Sequence, residues 1–246
     1  MNCKRFYRLI FFLFFSGFSL QGLMAGPVFQ NPGIADSEYF EITDYINKET
    51  GYVIAKVSIT LKTRNGEKYY HLLVREGNLF LNDIEVRYHD LTTITEKRYD
   101  SRTGTLIELF SFDGVSRVRL YNREKKLDKY FTVSDGNIYS RYAYLVSFRG
   151  FPFNGASSAV FKSYMFEYGD AMAMKLSRIA RQSVTVRAGT FDCYKLELTV
   201  TGWLSIFVKG KFNLYFEAAP PHRFVKYEEM DDKGNWDANE LVKYKK

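Results

Sequence analysis

Apolar and polar residues alternate one by one along most of the chain after residue 36. The clearest stretch is 193–200, where the residues at the even positions are apolar and are expected to face the interior. Another such stretch is 53–62, where every second residue is apolar and the residues between are mostly polar. Because a strand sends successive side chains to opposite faces, this period of two predicts a β-strand with one buried face. Asn65-Gly66 follows directly, and this dipeptide between two alternating segments predicts a tight hairpin.

The same texture recurs at short intervals, separated by polar turns such as Asp100–Gly104 and Arg123–Lys126. Many short strands with polar turns between them are typical of an antiparallel meander. We therefore predict a mainly β protein, with a long curved antiparallel sheet or partly open barrel, one short helix and a covering loop. The predicted strands are 53–61, 68–75, 79–88, 92–99, 105–112, 115–122, 128–133, 159–168, 171–181, 191–201, 203–217, 223–230 and 236–244.

The alternation breaks at Ser134, where Ser134-Asp135-Gly136-Asn137 supplies residues that cap helices. Apolar residues from Ile138 onward fall at helical spacing, which predicts a helix over Ile138–Phe148 that ends before Gly150. The loop Arg149–Ala156 follows and contains two phenylalanines beside an arginine. This loop is either a gate whose arginine meets an anionic headgroup or a plug that packs its rings over the sheet.

The first residues have the order of a secretory signal, with positive charges, then an apolar stretch, then small residues. The apolar stretch Leu9–Leu20 is shorter than the roughly 20 residues that a membrane-spanning helix needs. We expect cleavage after Ala25; because Leu23 is not small, an uncleaved anchor is the alternative. The predicted organisation is a signal peptide over 1–25, a flexible lead-in over 26–36 and a single antiparallel β domain over 37–246.

Composition supports an exported protein and argues against several function classes. The formal net charge is +7, and removal of residues 1–25 leaves +4, because that segment carries three positive charges and no negative one. Lysines and arginines are scattered, so we expect no nucleic-acid partner. No later stretch is apolar enough to span a bilayer, and no lipobox cysteine follows the apolar stretch. We therefore expect a location in the periplasm or at the outer membrane.

Catalytic and metal-binding patterns are missing from the sequence. The three histidines lie far apart, and Asp231–Asp237 lacks the alternating oxygen ligands of a calcium loop. Cys193, the one cysteine after residue 25, has no base beside it in sequence. No nucleophile elbow, P-loop or dinucleotide fingerprint occurs. We expect no enzymatic activity, no catalytic residue, no metal and no cofactor.

Residues of about 138–230 resemble the bacterial envelope proteins that share the domain of unknown function DUF3108. The likeness rests on three segments, although Leu214-Tyr215-Phe216 stands where the family has a strand that begins with tryptophan. The resemblance implies a long curved sheet in the bacterial envelope, similar in shape to the lipoprotein carriers LolA and LolB. The segments are Tyr144–Phe153 with Gly155, Val184–Leu196, and Phe212–Glu217 with Pro221 and Arg223–Tyr227.

Aromatic residues make up 17% of the chain, more than one short helix could cover if they lie on both faces of the strands. Either the sheet closes on itself and its concave face is filled core, or apolar surface stays available. In the second case we expect an apolar or lipid-like ligand in the concave face of the sheet. The alternative is a non-enzymatic interaction or structural protein that pairs with another envelope protein. Those expected to contact the ligand are Arg149, Phe151, Phe153, Phe166, Phe212 and Phe216.

Overall fold

The computed structural model describes residues 28–46, 53–113, 116–133, 138–165, 170–202, 211–230, 234 and 236–246. Most of these residues lie in strands, as the alternation predicts. The first eight strands are β1 (Ser37–Ile46), β2 (Val53–Arg64), β3 (Glu67–Glu76), β4 (Phe80–Arg87), β5 (Thr93–Asp100), β6 (Leu106–Asp113), β7 (Arg117–Asn122) and β8 (Leu127–Thr132).

The second half of the chain adds seven strands and the short helical segment. The helix α1 (Tyr144–Ser147) lies between two 3-10 turns, Arg141–Ala143 and Phe148–Gly150. The strands are β9 (Ile138–Ser140), β10 (Ser158–Met165), β11 (Asp170–Val186), β12 (Gly189–Val200), β13 (Lys211–Glu217), β14 (Phe224–Met230) and β15 (Trp236–Lys245).

The described strands form one sheet in the order β8-β7-β6-β5-β4-β3-β2-β1-β15-β14-β13-β12-β11-β10-β9. The first and last strands of the chain pair at its centre, with Phe40 opposite Tyr244. Neighbouring strands are antiparallel except β9 and β10, which run parallel. The sheet is therefore mixed, and within the described residues its two edges, β8 and β9, do not pair into a closed barrel.

The two edge regions of the sheet contact each other through side chains, although no backbone hydrogen bonds pair the described edge strands with each other. Phe131 near one edge stacks on Tyr164 of β10, with 6.1 Å between ring centroids. Phe110 of β6 lies 5.6 Å from the same ring. A small core therefore closes the curled sheet between its ends; its buried members are Phe110, Val118, Leu120, Val133, Ile138 and Tyr164.

The main core lies on the inner side of the curled sheet, named here the inner face. On β3, residues Tyr70, Leu72 and Val74 alternate with more exposed neighbours and point into this core. The alternation of β12 does the same through Leu196 and Leu198. This is the burial pattern that the period-two sequence predicts.

The predicted hairpin at Asn65-Gly66 has the backbone geometry that its residues suggest, and a positive φ also occurs at Gly189. Asn65 and Gly66 have φ of 53° and 82°, and Arg64 pairs with Glu67 across the turn. Positive φ at both central positions is the geometry that Asn-Gly favours in a two-residue hairpin. Gly189 begins β12 with φ of 134°, a conformation that residues with a Cβ rarely adopt.

The predicted helix over Ile138–Phe148 is wrong in its first half. Ile138–Ser140 is the strand β9, which pairs with Lys162–Tyr164 of β10. All three residues of β9 are buried, because this strand has one side against β10 and another near β5. Because both faces of β9 are buried, its residues do not alternate between apolar and polar. The spacing of the apolar residues from Ile138 onward therefore also fits a helix. The regular helix shrinks to Tyr144–Ser147.

Two further boundaries differ from the prediction. Residues 182–186, expected as a link, continue β11 to Val186, after a register shift beside Ile179. Residues 28–36, expected as a flexible lead-in, pack against the inner face: Phe29 is fully buried, 4.8 Å from the ring of Tyr139. The predicted signal peptide, the helix-capping run 134–137, Phe166, and residues 231–233 and 235 of the calcium-like run lie outside the described residues.

Candidate functional site

Arg149 lies in the interior, held by the 3-10 turn that follows α1. Its side chain is 1% exposed and makes a two-pronged ion pair with Glu38 of β1, at 2.7 Å and 3.1 Å. The Nε atom donates to the carbonyl oxygen of Pro221 at 2.9 Å. Paired N–H donors facing both carboxylate oxygens form one of the strongest polar contacts in proteins, so this arginine is fixed in place.

Gly150 allows the backbone of the lead-in segment to pack closely against the loop Arg149–Ala156. The Gln30 amide donates to the Gly150 carbonyl at 3.0 Å. A Cβ at position 150 would lie 2.5 Å from the Gln30 carbonyl oxygen, which no side chain tolerates. Only glycine permits this close approach of two backbone segments.

Phe151 and Phe153 complete a plug, defined here as Arg149–Phe153. Phe153 stacks on Tyr194 of β12 at 4.7 Å and lies 4.2 Å from the ring of His222. Arg178 of β11 donates to the Phe153 carbonyl oxygen. Burial lowers the pKa of His222, which favours a neutral ring in this stack. The geometry of the loop is that of a plug, the second of the two alternatives for Arg149–Ala156.

The plug closes one end of the inner face, which is called the sealed end below. Most of the predicted ligand residues lie there. Phe151 and Phe153 are 3% and 2% exposed, and Phe216 is fully buried opposite Tyr194. Phe212 lies four residues from Phe216 on β13, roughly 13 Å along the strand, and is partly buried. Phe166 is not among the described residues, and ligand contact by the whole set stays a prediction.

Two surface clefts lie along the described residues, and neither is a deep apolar groove. One of about 360 Å³ is lined by Arg181, Asp192 and Glu217, with Phe191 and smaller residues between them. Another of about 190 Å³ lies between Arg64 and Arg87. Both carry charged side chains at their walls, so an apolar ligand would not be held there.

Toward the other end of β13, the inner face is bordered by partly buried apolar side chains. Phe212 and Tyr227 stack with their centroids 6.5 Å apart. Burial and the carboxylate of Glu229 raise the pKa of Tyr227, and the charge of Arg141 acts in the opposite direction, so the helical segment lies within electrostatic reach of these rings. The name rim is used below for four residues that pack on the edge of the main core: Tyr142, Leu145, Phe212 and Tyr227.

Arginines accompany the apolar side chains of the rim. The Arg98 guanidinium lies 4.0 Å from the ring centroid of Phe80 and 4.9 Å from that of Tyr142. Arg141 lies 4.8 Å from the Tyr142 ring and its side chain is exposed. An arginine over an aromatic face is attracted by the ring and still keeps donors for an anion.

A polar row crosses the inner face beside the rim, and the sequence analysis missed it. Asn82, Arg98, Glu108 and Asn122 are successive cross-strand partners on β4 to β7. Glu76 accepts from Asn82 at 2.6 Å and from Arg98 at 3.1 Å. Alternation could have revealed the row, because Asn82 has the same parity as the buried Ile84.

Glu96 lies deeper in the inner face than this polar row. It is the ionisable side chain of the site with the most unusual surroundings. Its side chain is 1% exposed, with the fully buried Ile84 and Phe110 as cross-strand partners. Neither carboxyl oxygen has a hydrogen-bond partner. Burial raises the pKa of Glu96 to about 7, although Ser140 and the Arg141 charge act in the opposite direction.

Within the described ranges, no group of three or more histidine, cysteine, aspartate or glutamate residues is arranged to hold a metal ion. His71 instead pairs with Asp83 at 2.9 Å. Burial raises the pKa of the Cys193 thiol to about 12, which leaves it protonated. The described helix is too short to cross a membrane.

No family model and no curated protein matches this chain, so the likeness to DUF3108 proteins stays a resemblance. Among solved structures, a β-barrel-like protein of domain of unknown function DUF1849 from Brucella abortus is 8% identical, with a TM-score of 0.43, over 85% of this chain and 96% of its own.

Two other solved structures are also similar to this chain. A protein from Parabacteroides distasonis assigned as a lipoprotein is 16% identical, with a TM-score of 0.34, over 89% of this chain and 98% of its own. One from Bacteroides fragilis assigned as an exported protein with a YmcC-like fold is 13% identical, with a TM-score of 0.33, over 89% and 99%. Identities and TM-scores this low carry no information on function.

Proposed function

We propose that this protein is an exported, non-catalytic protein of the cell envelope that binds an apolar or lipid-like ligand at the rim. The order of charged, apolar and small residues over 1–25 supports export. The single observation that carries the ligand site is the difference between the two ends of the inner face. At one end Phe151, Phe153 and Phe216 are buried around the plug. At the other end Phe212 and Tyr227 are only partly buried and Arg141 is exposed.

The chemistry of the rim suits an amphipathic ligand. Tyr142, Phe212 and Tyr227 offer ring faces to an acyl chain, and covering such surface gains about 25 cal/mol per Å². Exposed Arg141 lies beside the ring of Tyr142 and would favour an anionic headgroup, whereas Arg98 beside the same ring is paired with Glu76. A fatty acid or an anionic lipid fits this combination better than an uncharged hydrocarbon.

The buried phenylalanines then support the site without touching the ligand. Phe151, Phe153 and Phe216 pack around the plug and hold the sealed end together. A ligand that reached them would first have to break the ion pair between Arg149 and Glu38. In this proposal the ligand therefore occupies the mouth of the inner face and not its depth.

A second candidate function is interaction with another envelope protein, and the structure of β8 favours it. Within the described residues, the outer edge of β8 pairs with no strand, and Tyr130 on it is 47% exposed. An unpaired edge can accept a strand from a partner. The packed plug agrees with this reading as well, because an interaction protein needs no internal groove.

Titration with a fluorescent fatty acid separates the two candidates. The exported protein should bind the probe saturably, and Phe212→Ala should weaken binding roughly tenfold or more, since the loss of a ring contact costs about 1.5 kcal/mol or more. Tyr130→Ala on β8 is the matched control and should bind like the parent. The absence of saturable uptake, or a loss of binding in Tyr130→Ala alone, would overturn the rim proposal.

A further inference from the structure

Glu96 lies at a seam where the curled sheet meets itself. The seam is defined here as the contact of β5 and the turn before it with residues 138–147. The Ser140 amide donates to the Thr93 hydroxyl at 2.9 Å, and the Ser147 hydroxyl donates to the Leu91 carbonyl at 2.8 Å. The sheet order includes no pairing of β5 with β9, so single contacts hold this seam and a continuous ladder does not.

The carboxyl group of Glu96 is buried in this seam in a setting that suits its neutral form. Ile84 and Phe110, its cross-strand partners on either side, are fully buried hydrocarbons. Neither the Glu96 oxygens nor the Ser140 hydroxyl makes a hydrogen bond of good geometry, although the Ser140 hydroxyl lies close enough to Glu96 to oppose part of the rise in its pKa. An ionised carboxylate without partners in such surroundings costs several kcal/mol, so ionisation and closure of the seam oppose each other.

Among the described residues, the ionisable groups that act on Glu96 from the elements around it include Arg98, Glu108, Arg141 and Tyr144. Arg98 lies on the same strand and is already paired with Glu76 at 3.1 Å. Glu108 of β6 disfavours a second negative charge, whereas Arg141, next to Ser140, favours it. Tyr144 of α1 is neutral at physiological pH, because burial raises its pKa further above its ordinary value. Arg141 lies in the 3-10 turn Arg141–Ala143, on the side of the seam that faces β5.

We propose that protonated Glu96 keeps the seam closed, and that loss of its proton releases the segment Ile138–Ser147 from the wall formed by β5. The proton leaves to water, and the carboxylate gains solvent and the Arg141 charge as partners. Tyr142 and Leu145 of the rim are on the released segment. The seam is thereby a pH-sensitive device at the open end of the molecule, and it does not depend on the proposed ligand.

The direction of the effect follows from the two states of Glu96. In the closed seam its pKa is raised to about 7, and in an opened seam it returns toward 4.5. The closed form therefore has its full stability below pH 4.5 and loses it as the pH rises through 7. The equilibrium constant for opening should grow roughly thirtyfold between about pH 5.5 and pH 8, and level off above pH 7.

Hydrogen exchange of the full exported protein tests this proposal. Amides of 138–147 are followed by mass spectrometry at several values between pH 5 and pH 8.5, after correction for the intrinsic pH dependence of exchange. The wild-type segment should exchange roughly thirtyfold faster at the upper end than intrinsic chemistry explains. Amides of the β2–β3 hairpin serve as the internal control and should show no excess.

Variants assign the response to one carboxyl group. Glu96→Gln and Glu96→Leu are uncharged at every pH and should abolish the excess exchange. Glu108→Gln removes a neighbouring carboxyl on the same face and should retain it. A wild-type segment without excess exchange overturns the proposal even if no variant folds. An unchanged response in a folded Glu96 variant, or its loss in Glu108→Gln alone, overturns it too.

Discussion

Arg149 shows how far a single residue could be assigned from the sequence. Its place in a loop between two phenylalanines and a short helix made it a candidate, with two roles open. Its partner Glu38 is 111 positions away and nothing local indicates it. The buried ion pair favours the plug, because both prongs of the arginine are held by a carboxylate, and contact of Arg149 with a ligand stays a prediction.

Removal of either partner should destabilise the protein strongly. Glu38→Leu and Arg149→Met each leave a buried charge unpaired, which costs roughly 3–5 kcal/mol in the free energy of unfolding. The double variant should lose less than the sum of the two, because both charges are gone. Urea unfolding of the four proteins measures this coupling. Additive losses would show that the two side chains do not act as a pair.

At the scale of elements, alternation predicted strands well and failed where a segment is covered on both sides. On β12, Leu196, Leu198 and Val200 are buried and Lys195, Glu197 and Thr199 are more exposed, as expected. Tyr194 is partly buried beneath Phe153. Cys193 is the exception, fully buried although it has the parity of the outer set. Tyr215 of β13 and Val225 of β14 are buried as well. The alternation within one strand cannot predict that other segments cover part of its outer face.

The register of β12 can be tested with two neighbouring substitutions. Leu196→Ala should lower the free energy of unfolding by about 2–5 kcal/mol, because it leaves a cavity at a fully buried site. Glu197→Gln, one residue further and on the other face, should change it by less than about 1 kcal/mol. Thermal or urea unfolding measures both. Equal losses at the two positions would contradict the assigned faces of the strand.

At the scale of the whole molecule, the sequence indicates a long curved sheet but not the way it closes. The pairing of β1 with β15 joins opposite ends of the chain, and the contact of Phe131 with Tyr164 joins the two ends of the sheet. Such long-range contacts depend on the accumulated twist of many strands, which no local pattern encodes. The same closure creates the sealed end, the rim and the seam around Glu96.

Native mass spectrometry of the protein purified from its own envelope tests the central claim most directly. A ligand held at the rim should appear as an added mass of lipid size on the wild-type protein. The added mass should decrease in Phe212→Ala and persist in Tyr130→Ala. A wild-type protein that carries no such mass, or that carries only the mass of a protein partner, would contradict ligand binding and favour the interaction role.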